Sequence, residues 1–158
     1  MAPSSLRYTW KDEIMKWIPT LSGDKDIQLF KTGKDPWSAD ACVFIFSYDL
    51  ATKRADEIQS KGFKVCIADE AHYLKSRDSK RAQLLVPILM KAKRSILISG
   101  TPMLSRPVEI FNLMRIIRPE LVTSFTTYAQ RYCNPKETPY GPDYTGNSCT
   151  KELHYILN

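Results

Sequence analysis

The most informative segment of this sequence is Val65-Cys66-Ile67-Ala68-Asp69-Glu70-Ala71-His72. A second stretch of the same kind, Ser95-Ile96-Leu97-Ile98-Ser99-Gly100-Thr101-Pro102, follows further along the chain. Each is a short apolar run that ends in small polar or acidic residues. This pattern is typical of buried parallel strands that carry reactive groups to the carboxyl edge of an α/β sheet. We therefore predict that two strands contribute to one site.

Two adjacent carboxylates, Asp69 and Glu70, end the first of these strands. Since successive side chains of a strand point to opposite sides, the two carboxylates cannot do the same job. Such an asymmetry suits phosphoryl transfer to water, in which one carboxylate holds the Mg²⁺ of a nucleotide and the other orients the attacking water. An acidic pair at a strand end is more often a solvated turn, but the second stretch, ending in Ser99-Gly100-Thr101-Pro102, favours the phosphoryl-transfer interpretation.

Further segments carry motifs that match a known family. They are residues 2–10 (motif Ia), 32–35, 47–50, 69–75 (motif II), 99–102 with 105–107 (motif III), and 131–133. With them the chain resembles, nearly end to end, the first motor lobe of a Swi/Snf-type DNA-dependent ATPase. Residues 3–10 and 105–107 resemble the HepA-related annealing-helicase branch, whereas the Asp-Glu-x-His and Gly-Thr-Pro elements belong to the wider family.

This resemblance implies a RecA-like (P-loop NTPase) α/β lobe with three layers and a parallel sheet. Residues 1–119 would belong to the helicase ATP-binding lobe, and residues 120–158 would form a C-terminal extension with a Pro- and Gly-rich loop. The implied cofactors are ATP and Mg²⁺, with Asp69 as the Mg²⁺ ligand and Glu70 polarising the water. His72 and Thr101 would couple the nucleotide site to motif III and to the grip on DNA.

DNA contacts are implied for two segments by the same resemblance. Ser4, Ser5 and Arg7 lie at the start of a predicted helix, where hydroxyls either cap the helix or present hydroxyl and N–H groups to a DNA phosphate. Motif Ia of the family follows the tracked DNA strand, so we favour both roles. Ser47 and Tyr48 match the next DNA-facing motif, although a satisfied strand-end hydroxyl is nearly as common an explanation.

The phosphate-binding loop Gly-x-x-x-x-Gly-Lys-Ser/Thr does not occur in the sequence. The resemblance therefore implies a lobe that lacks its first strand, the phosphate loop and the following helix, with a sheet edge exposed beside the motif III strand. The expected parent is a nuclear annealing helicase that acts on fork-like DNA in repair and fork remodelling, together with a second motor lobe. The isolated chain should be inactive. The alternatives are a non-catalytic DNA-binding or protein-interaction module and, less favoured, an Asp-Glu-x-His RNA helicase.

Composition agrees with one globular domain. The chain has 158 residues, of which 43% are hydrophobic, and a net charge of +6 that favours a polyanionic partner without requiring nucleic acid. Its four cysteines show no Cys-x-x-Cys spacing, and two of them lie in apolar strand-like runs, so reduced core thiols of an intracellular protein are expected. Cys133, Cys149 and His154 match no zinc signature, and we interpret Cys133 and Cys149 as loop thiols. No apolar run reaches membrane-spanning length, and no signal peptide pattern occurs.

Apolar periodicity and turn residues predict an alternating order of helices and strands. Helices are predicted over residues 7–18, 50–60, 79–93 and 108–117, with one or two helical turns over 127–131. Strands are predicted over 27–30, 41–46, 65–68 and 95–98, and loops over 32–37 and 134–148. Pro87 must bend the third helix or lie near its end.

Overall fold

The computed structural model describes residues 1–100 and 106–157. Its helices are α1 (Arg7–Trp17), α2 (Gly23–Asp26), α3 (Tyr48–Lys53), α4 (Ala55–Lys61), α5 (Lys80–Lys91), α6 (Pro107–Ile117), α7 (Phe125–Tyr132) and α8 (Thr150–Leu157). Its strands are β1 (Ile27–Leu29), β2 (Val43–Ile45), β3 (Val65–Asp69), β4 (Arg94–Ile98), β5 (Lys136–Thr138) and β6 (Gly141–Asp143). Single 3₁₀ turns cover Ser4–Leu6 and Ala71–Leu74.

The first two residues join two pairs of parallel strands. β1 pairs with β2, and β3 pairs with β4. The amide of Ala2 donates to the carbonyl of Phe46 at 3.0 Å, and the amide of Asp69 donates to the carbonyl of Met1 at 2.9 Å. The Met1 amino group also donates to the carbonyl of Ile67 at 2.7 Å. The order across the sheet is therefore β1, β2, the Met1–Ala2 segment, β3 and β4.

Helices cover both faces of this sheet. Cys66 and Ala68 of β3 are buried in the main core, which includes side chains of α3, α4 and α5. The alternate residue Asp69 faces the other side, where it meets Trp10 of α1. Because strand side chains alternate between faces, this places α1 and the group α3–α5 on opposite sides of the sheet. The predicted three-layer arrangement with parallel strands is confirmed.

An apolar cavity of about 300 Å³ lies between β2 and β3. Its lining includes Phe44 of β2, Val65 of β3, and Trp10 and Ile14 of α1. Within the described residues only the short Met1–Ala2 segment bridges the two strands, and the cavity occupies part of the remaining gap. On the far side of the sheet, Ile96 in β4 is 48% exposed, as expected for an uncovered edge.

The helix predicted over residues 50–60 is in fact two helices, α3 and α4, which meet at Arg54. Arg54 is 6% exposed, and its guanidinium donates to the carbonyl of Asp35 and, in two hydrogen bonds, to the carboxylate of Glu57. The same guanidinium lies over the rings of Phe30 and Trp37, at 4.7 and 4.9 Å. The helix is interrupted at Arg54, whose side chain is buried. Helix α4 then ends at Gly62, close to the predicted end at residue 60, and Gly62 has the left-handed conformation with φ of 63°.

The loop predicted over residues 134–148 contains an antiparallel hairpin. β5 pairs with β6, and the turn between them includes Gly141, whose φ of 106° is strained for any residue with a side chain. The hydroxyl of Thr138 donates to the carbonyl of Gly141 at 2.6 Å and closes the turn. The loop prediction was wrong here because three-residue strands with a proline carry almost no periodic signal. The short helices α2 and α8 were also not predicted.

A second hydrophobic cluster lies against α6. One side of α6 contributes Leu113 and Ile116 to the main core, whereas Phe111 and Met114 join residues of α7 and α8 in the second cluster. Helix α6 therefore connects the sheet to the C-terminal segment. The boundary at residue 119 between lobe and extension stays a prediction. Pro87 lies inside α5, which continues to Lys91.

The cysteines are all free but differ in exposure. Cys66 and Cys133 are buried, and burial raises the pKa of both thiols, that of Cys133 to about 11, so both stay protonated. Cys42 and Cys149 are exposed. The core-thiol expectation was therefore wrong for Cys42, and the loop-thiol interpretation agrees with Cys149 but was wrong for the buried Cys133. No helix among residues 1–100 and 106–157 is long and apolar enough to cross a membrane.

Candidate nucleotide and DNA site

Asp69 is the last residue of β3 and the point at which three segments of the site meet. The indole N–H of Trp10 donates to Asp69 Oδ2 at 2.8 Å, and the amide of Glu70 donates to Asp69 Oδ1 at 2.9 Å. The hydroxyl of Tyr48 donates to the Asp69 carbonyl at 2.7 Å. Hydrogen bonds at Asp69 therefore connect motif II both to motif Ia and to residues 47–50.

Glu70 adopts a left-handed backbone conformation with φ of 51°. Such a conformation is uncommon for a residue with a side chain and clusters at functional sites. It directs the Glu70 carboxylate away from Asp69, so that Oε2 lies 3.1 Å from Nδ1 of His72. The two carboxylates thus have different surroundings, in agreement with the expectation from their adjacency in a strand.

His72 lies at the end of a row of stacked rings. Its ring stacks on Tyr73 at 4.9 Å, and Tyr73 stacks on Tyr48 at 5.2 Å. Although His72 Nδ1 is close to Glu70, the contact lacks hydrogen-bond geometry, and this nitrogen has no hydrogen-bond partner in the described part of the chain. Burial, followed by the nearby Asp69 charge, raises the pKa of Tyr48, so its hydroxyl remains a donor to Asp69 at all physiological pH values.

The donor set at Asp69 fits a magnesium ion that is held mainly by a nucleotide. A carboxylate offers about four lone-pair positions, and two of them are used by Trp10 and Glu70. Mg²⁺ is commonly bound by one or two carboxylates together with waters and substrate phosphates. Within residues 1–100 and 106–157 no group of three or more His, Cys, Asp or Glu could hold a metal ion on its own. Asp69 would therefore be the protein ligand.

The N-terminal hydroxyls face solvent and do not cap a helix. Ser4 and Ser5 are exposed in the 3₁₀ turn before α1, and neither that turn nor α1 has a side-chain cap. Arg7 donates to the carbonyl of Phe30 and, at 3.2 Å, to the carbonyl of Ser4. The helix-capping half of the prediction was therefore wrong. Arg7 instead fixes the serine turn against the end of β1.

Ser47 and Tyr48 have internal roles in this structure. Ser47 is 5% exposed and caps α3 by accepting a hydrogen bond from the amide of Leu50 at 3.2 Å. Tyr48 is 3% exposed and is committed to Asp69. The satisfied-hydroxyl alternative describes both residues, and their contact with DNA stays a prediction. Thr101, together with Pro102 and Ser105 of motif III, lies outside the described residues.

The sequence-based reasoning missed the structural roles of Trp10 and Arg54. Trp10 was placed within motif Ia without a role for its side chain, yet it is the hydrogen-bond donor to Asp69. Arg54 was not singled out at all, although it is among the few charged residues that are buried. An arginine within a run of polar helix residues gives no signal of burial, whereas a tryptophan inside motif Ia could have raised the question of where its indole N–H finds a partner.

A layered α/β lobe with a parallel sheet and paired carboxylates at the end of a strand is typical of RecA-like lobes. The family model of the SNF2-related domain matches residues 1–158. The chain belongs to this family, which confirms the resemblance found in the sequence.

Similar proteins include two kinds of relative. One is the Xenopus laevis "SWI/SNF-related matrix-associated actin-dependent regulator of chromatin subfamily A-like protein 1", which is 39% identical over 99% of this chain. Another is the Bos taurus "DNA annealing helicase and endonuclease ZRANB3", which is 41% identical over the whole chain. The chain spans 16% of the length of each of these relatives.

A solved structure has the same fold. The "Sulfolobus solfataricus SWI2/SNF2 ATPase core in complex with dsDNA" superposes with a TM-score of 0.74 over 99% of this chain and 31% of that chain, at 19% identity. The match confirms the RecA-like lobe.

Proposed function

We propose that this chain forms part of the first motor lobe of an ATP-dependent DNA translocase of the annealing-helicase type. The observation that carries the proposal is the meeting of Trp10, Tyr48 and Glu70 at Asp69. These contacts connect the segment implied to follow DNA with the carboxylates implied to serve hydrolysis. Relatives at about 40% identity are named as annealing helicases, which supports the same proposal.

The two carboxylates would divide the chemistry between them. Bound Mg²⁺-ATP supplies the phosphoryl group and the metal that neutralises its charge. Asp69 would hold this metal, because its position at the strand end is fixed by Trp10 and Tyr48. Glu70, which is turned outward by its left-handed backbone, would orient water and accept its proton. His72, next to Glu70 and stacked on Tyr73, would relay the state of the nucleotide site to the neighbouring loop.

DNA would be gripped through its phosphates. Arg7 donates to the carbonyl and to the hydroxyl of Ser4 and so holds the turn that exposes Ser4 and Ser5, and the net charge of +6 favours a polyanion. Phosphate contacts carry no sequence preference, which suits a motor that acts on DNA geometry such as a fork. We further propose a nuclear location and a second motor lobe as partner, in keeping with the family resemblance.

A chimaera tests this function directly. The segment of the Xenopus laevis relative that matches this chain is replaced by residues 1–158, and DNA-stimulated ATP hydrolysis is measured. We expect turnover that depends on DNA, whereas the isolated chain should show none. A chimaera that is folded and binds DNA but does not hydrolyse ATP would contradict the proposal and would favour the non-catalytic DNA-binding module instead.

A further inference from the structure

A second cavity, of about 570 Å³, opens on the surface next to the site. It lies between α3, the 3₁₀ turn that follows Glu70, and the beginning of α5. Its lining includes Thr52, Tyr73, Lys75, Ser76, Lys80 and Arg81. The cavity therefore brings together cationic side chains and hydroxyl groups, beside the carboxylate of Asp49 and the ring of His72.

The positive charges of this cavity are only partly neutralised. Arg81 pairs with Asp49 at 2.6 Å, and Lys75 pairs with Glu109 at 3.4 Å. Lys80 is exposed and has no ion-pair partner among residues 1–100 and 106–157. The cavity thus retains one uncompensated ammonium group beside two that are held in fixed positions, and hydroxyl donors lie next to it.

Arg81 forms a fixed part of the wall. Its guanidinium lies over the ring of Tyr73 at 5.1 Å and over that of Tyr48 at 5.6 Å, while Asp49 holds the terminal nitrogen. A planar guanidinium held by stacking and an ion pair is oriented before a ligand arrives, which reduces the entropy lost on binding. Tyr73 in turn stacks on His72, so a ligand here would contact the turn that carries Glu70.

We propose that this cavity binds a phosphodiester group of the DNA backbone, with Lys80 and Ser76 as donors and Arg81 shaping the wall. This inference rests on the proposed function and adds a DNA contact to those of Ser4 and Ser5. Lysine, guanidinium and hydroxyl groups are the side chains that most often contact DNA phosphates. Because the cavity is open and larger than a single phosphate requires, it suits a strand that passes through it. DNA held here would touch the His72 loop directly.

Salt-dependent DNA binding tests the site. Duplex binding by the chain is measured by fluorescence anisotropy across a salt series, for the wild type, Lys80→Gln and Ser76→Ala. Each phosphate neutralised by a cation contributes about one unit to the slope of log K against log[salt]. We expect Lys80→Gln to lower this slope by about one unit and Ser76→Ala to weaken binding without changing it. Lys91→Gln, at the other end of α5, is the matched control and should keep the wild-type slope.

The outcomes separate this inference from the proposed function. Wild-type binding with an unchanged slope in a folded Lys80→Gln variant would overturn the inference and leave the proposed function in place. No DNA binding by the wild type, even at low salt, would contradict both. A second set of titrations, with ATP as competitor, shows whether the phosphate bound in the cavity belongs to DNA or to a nucleotide. If Lys80→Gln weakens ATP binding but not DNA binding, the cavity binds free nucleotide phosphate, and the assignment to DNA is wrong.

Discussion

The indole N–H of Trp10 donates a hydrogen bond to Asp69 Oδ2 at 2.8 Å, across a separation of 59 residues in the sequence. Trp10 lies on α1, one helical turn after the exposed serine turn, and Asp69 ends β3. Movement of α1 on binding DNA would therefore change the position of the proposed Mg²⁺ ligand. A hydrogen bond to an ionised acceptor is among the stronger ones in proteins, so this contact also stabilises the fold.

Trp10→Phe should lower the free energy of unfolding by about 1.5–3 kcal/mol, because it removes a hydrogen bond to a partly buried carboxylate. Urea unfolding followed by circular dichroism measures the loss. Trp17→Phe is the matched control: its indole N–H bonds to Glu13 at 2.7 Å, but Trp17 is 73% exposed, so we expect a change within about 0.5 kcal/mol. Equal losses in the free energy of unfolding would show that the hydrogen bond to Asp69 stabilises the fold no more than the exposed hydrogen bond to Glu13.

Arg54→Met should destabilise the chain by about 2–3 kcal/mol. It removes the hydrogen bonds to Glu57 and to the Asp35 carbonyl and the contact with the two aromatic rings. The midpoint of chemical unfolding reports the change. Lys61→Met is the control, since Lys61 contacts the same Trp37 ring at 5.1 Å from an exposed position. If Lys61→Met cost as much as Arg54→Met, the burial of Arg54 would not be the cause.

In the isolated chain of residues 1–158, we predict that stability depends on pH through the amino group of Met1. Burial in the sheet, opposed by the nearby Cys66 and Asp69, lowers its pKa from 8.0 to about 6. The unfolded chain therefore binds more protons than the folded chain between these values, and the free energy of unfolding rises as pH increases from about 6 to 8. A shift of this size corresponds to on the order of 2 kcal/mol.

Urea unfolding at pH 5.5 and 8.5 measures this effect in a preparation that retains Met1, as verified by mass. The acetylated chain is the control, because it lacks this charge and keeps every other titratable group. The difference in the free energy of unfolding between the free and the acetylated chain should vanish at the higher pH. A difference that is the same at both pH values would show that the amino group is not buried as described.

The parts of this fold that follow from local patterns could be predicted, and those that depend on distant contacts could not. β3 and β4 could be predicted because buried parallel strands are continuous apolar runs. The break between α3 and α4 could not, since it depends on Phe30 and Asp35, which approach Arg54 only in the folded chain. For the same reason the pairing of Trp10 with Asp69 was missed, although motifs Ia and II, to which these residues belong, were both identified.

A further prediction concerns the proposed phosphate contact at the turn that contains Ser4 and Ser5. Ser4→Ala with Ser5→Ala should weaken duplex binding equally at all salt concentrations, because neutral donors release no counterions. Arg7→Ala should lower the salt slope by about one unit if Arg7 neutralises a phosphate in addition to holding the turn. Binding is titrated on two duplexes of unrelated sequence. A loss confined to one sequence, of about 1–3 kcal/mol, would indicate contact with base edges and would contradict phosphate recognition.

The most direct measurement compares Asp69→Asn with Glu70→Gln in the chimaeric motor. Nucleotide affinity is measured in the presence of Mg²⁺ and DNA, alongside steady-state hydrolysis of ATP. We predict that Glu70→Gln abolishes hydrolysis and leaves nucleotide and DNA binding intact, because it removes only the group that orients water. Asp69→Asn should instead weaken the binding of Mg²⁺-nucleotide. Turnover that survives both substitutions would contradict the assignment of these two carboxylates to the hydrolytic site.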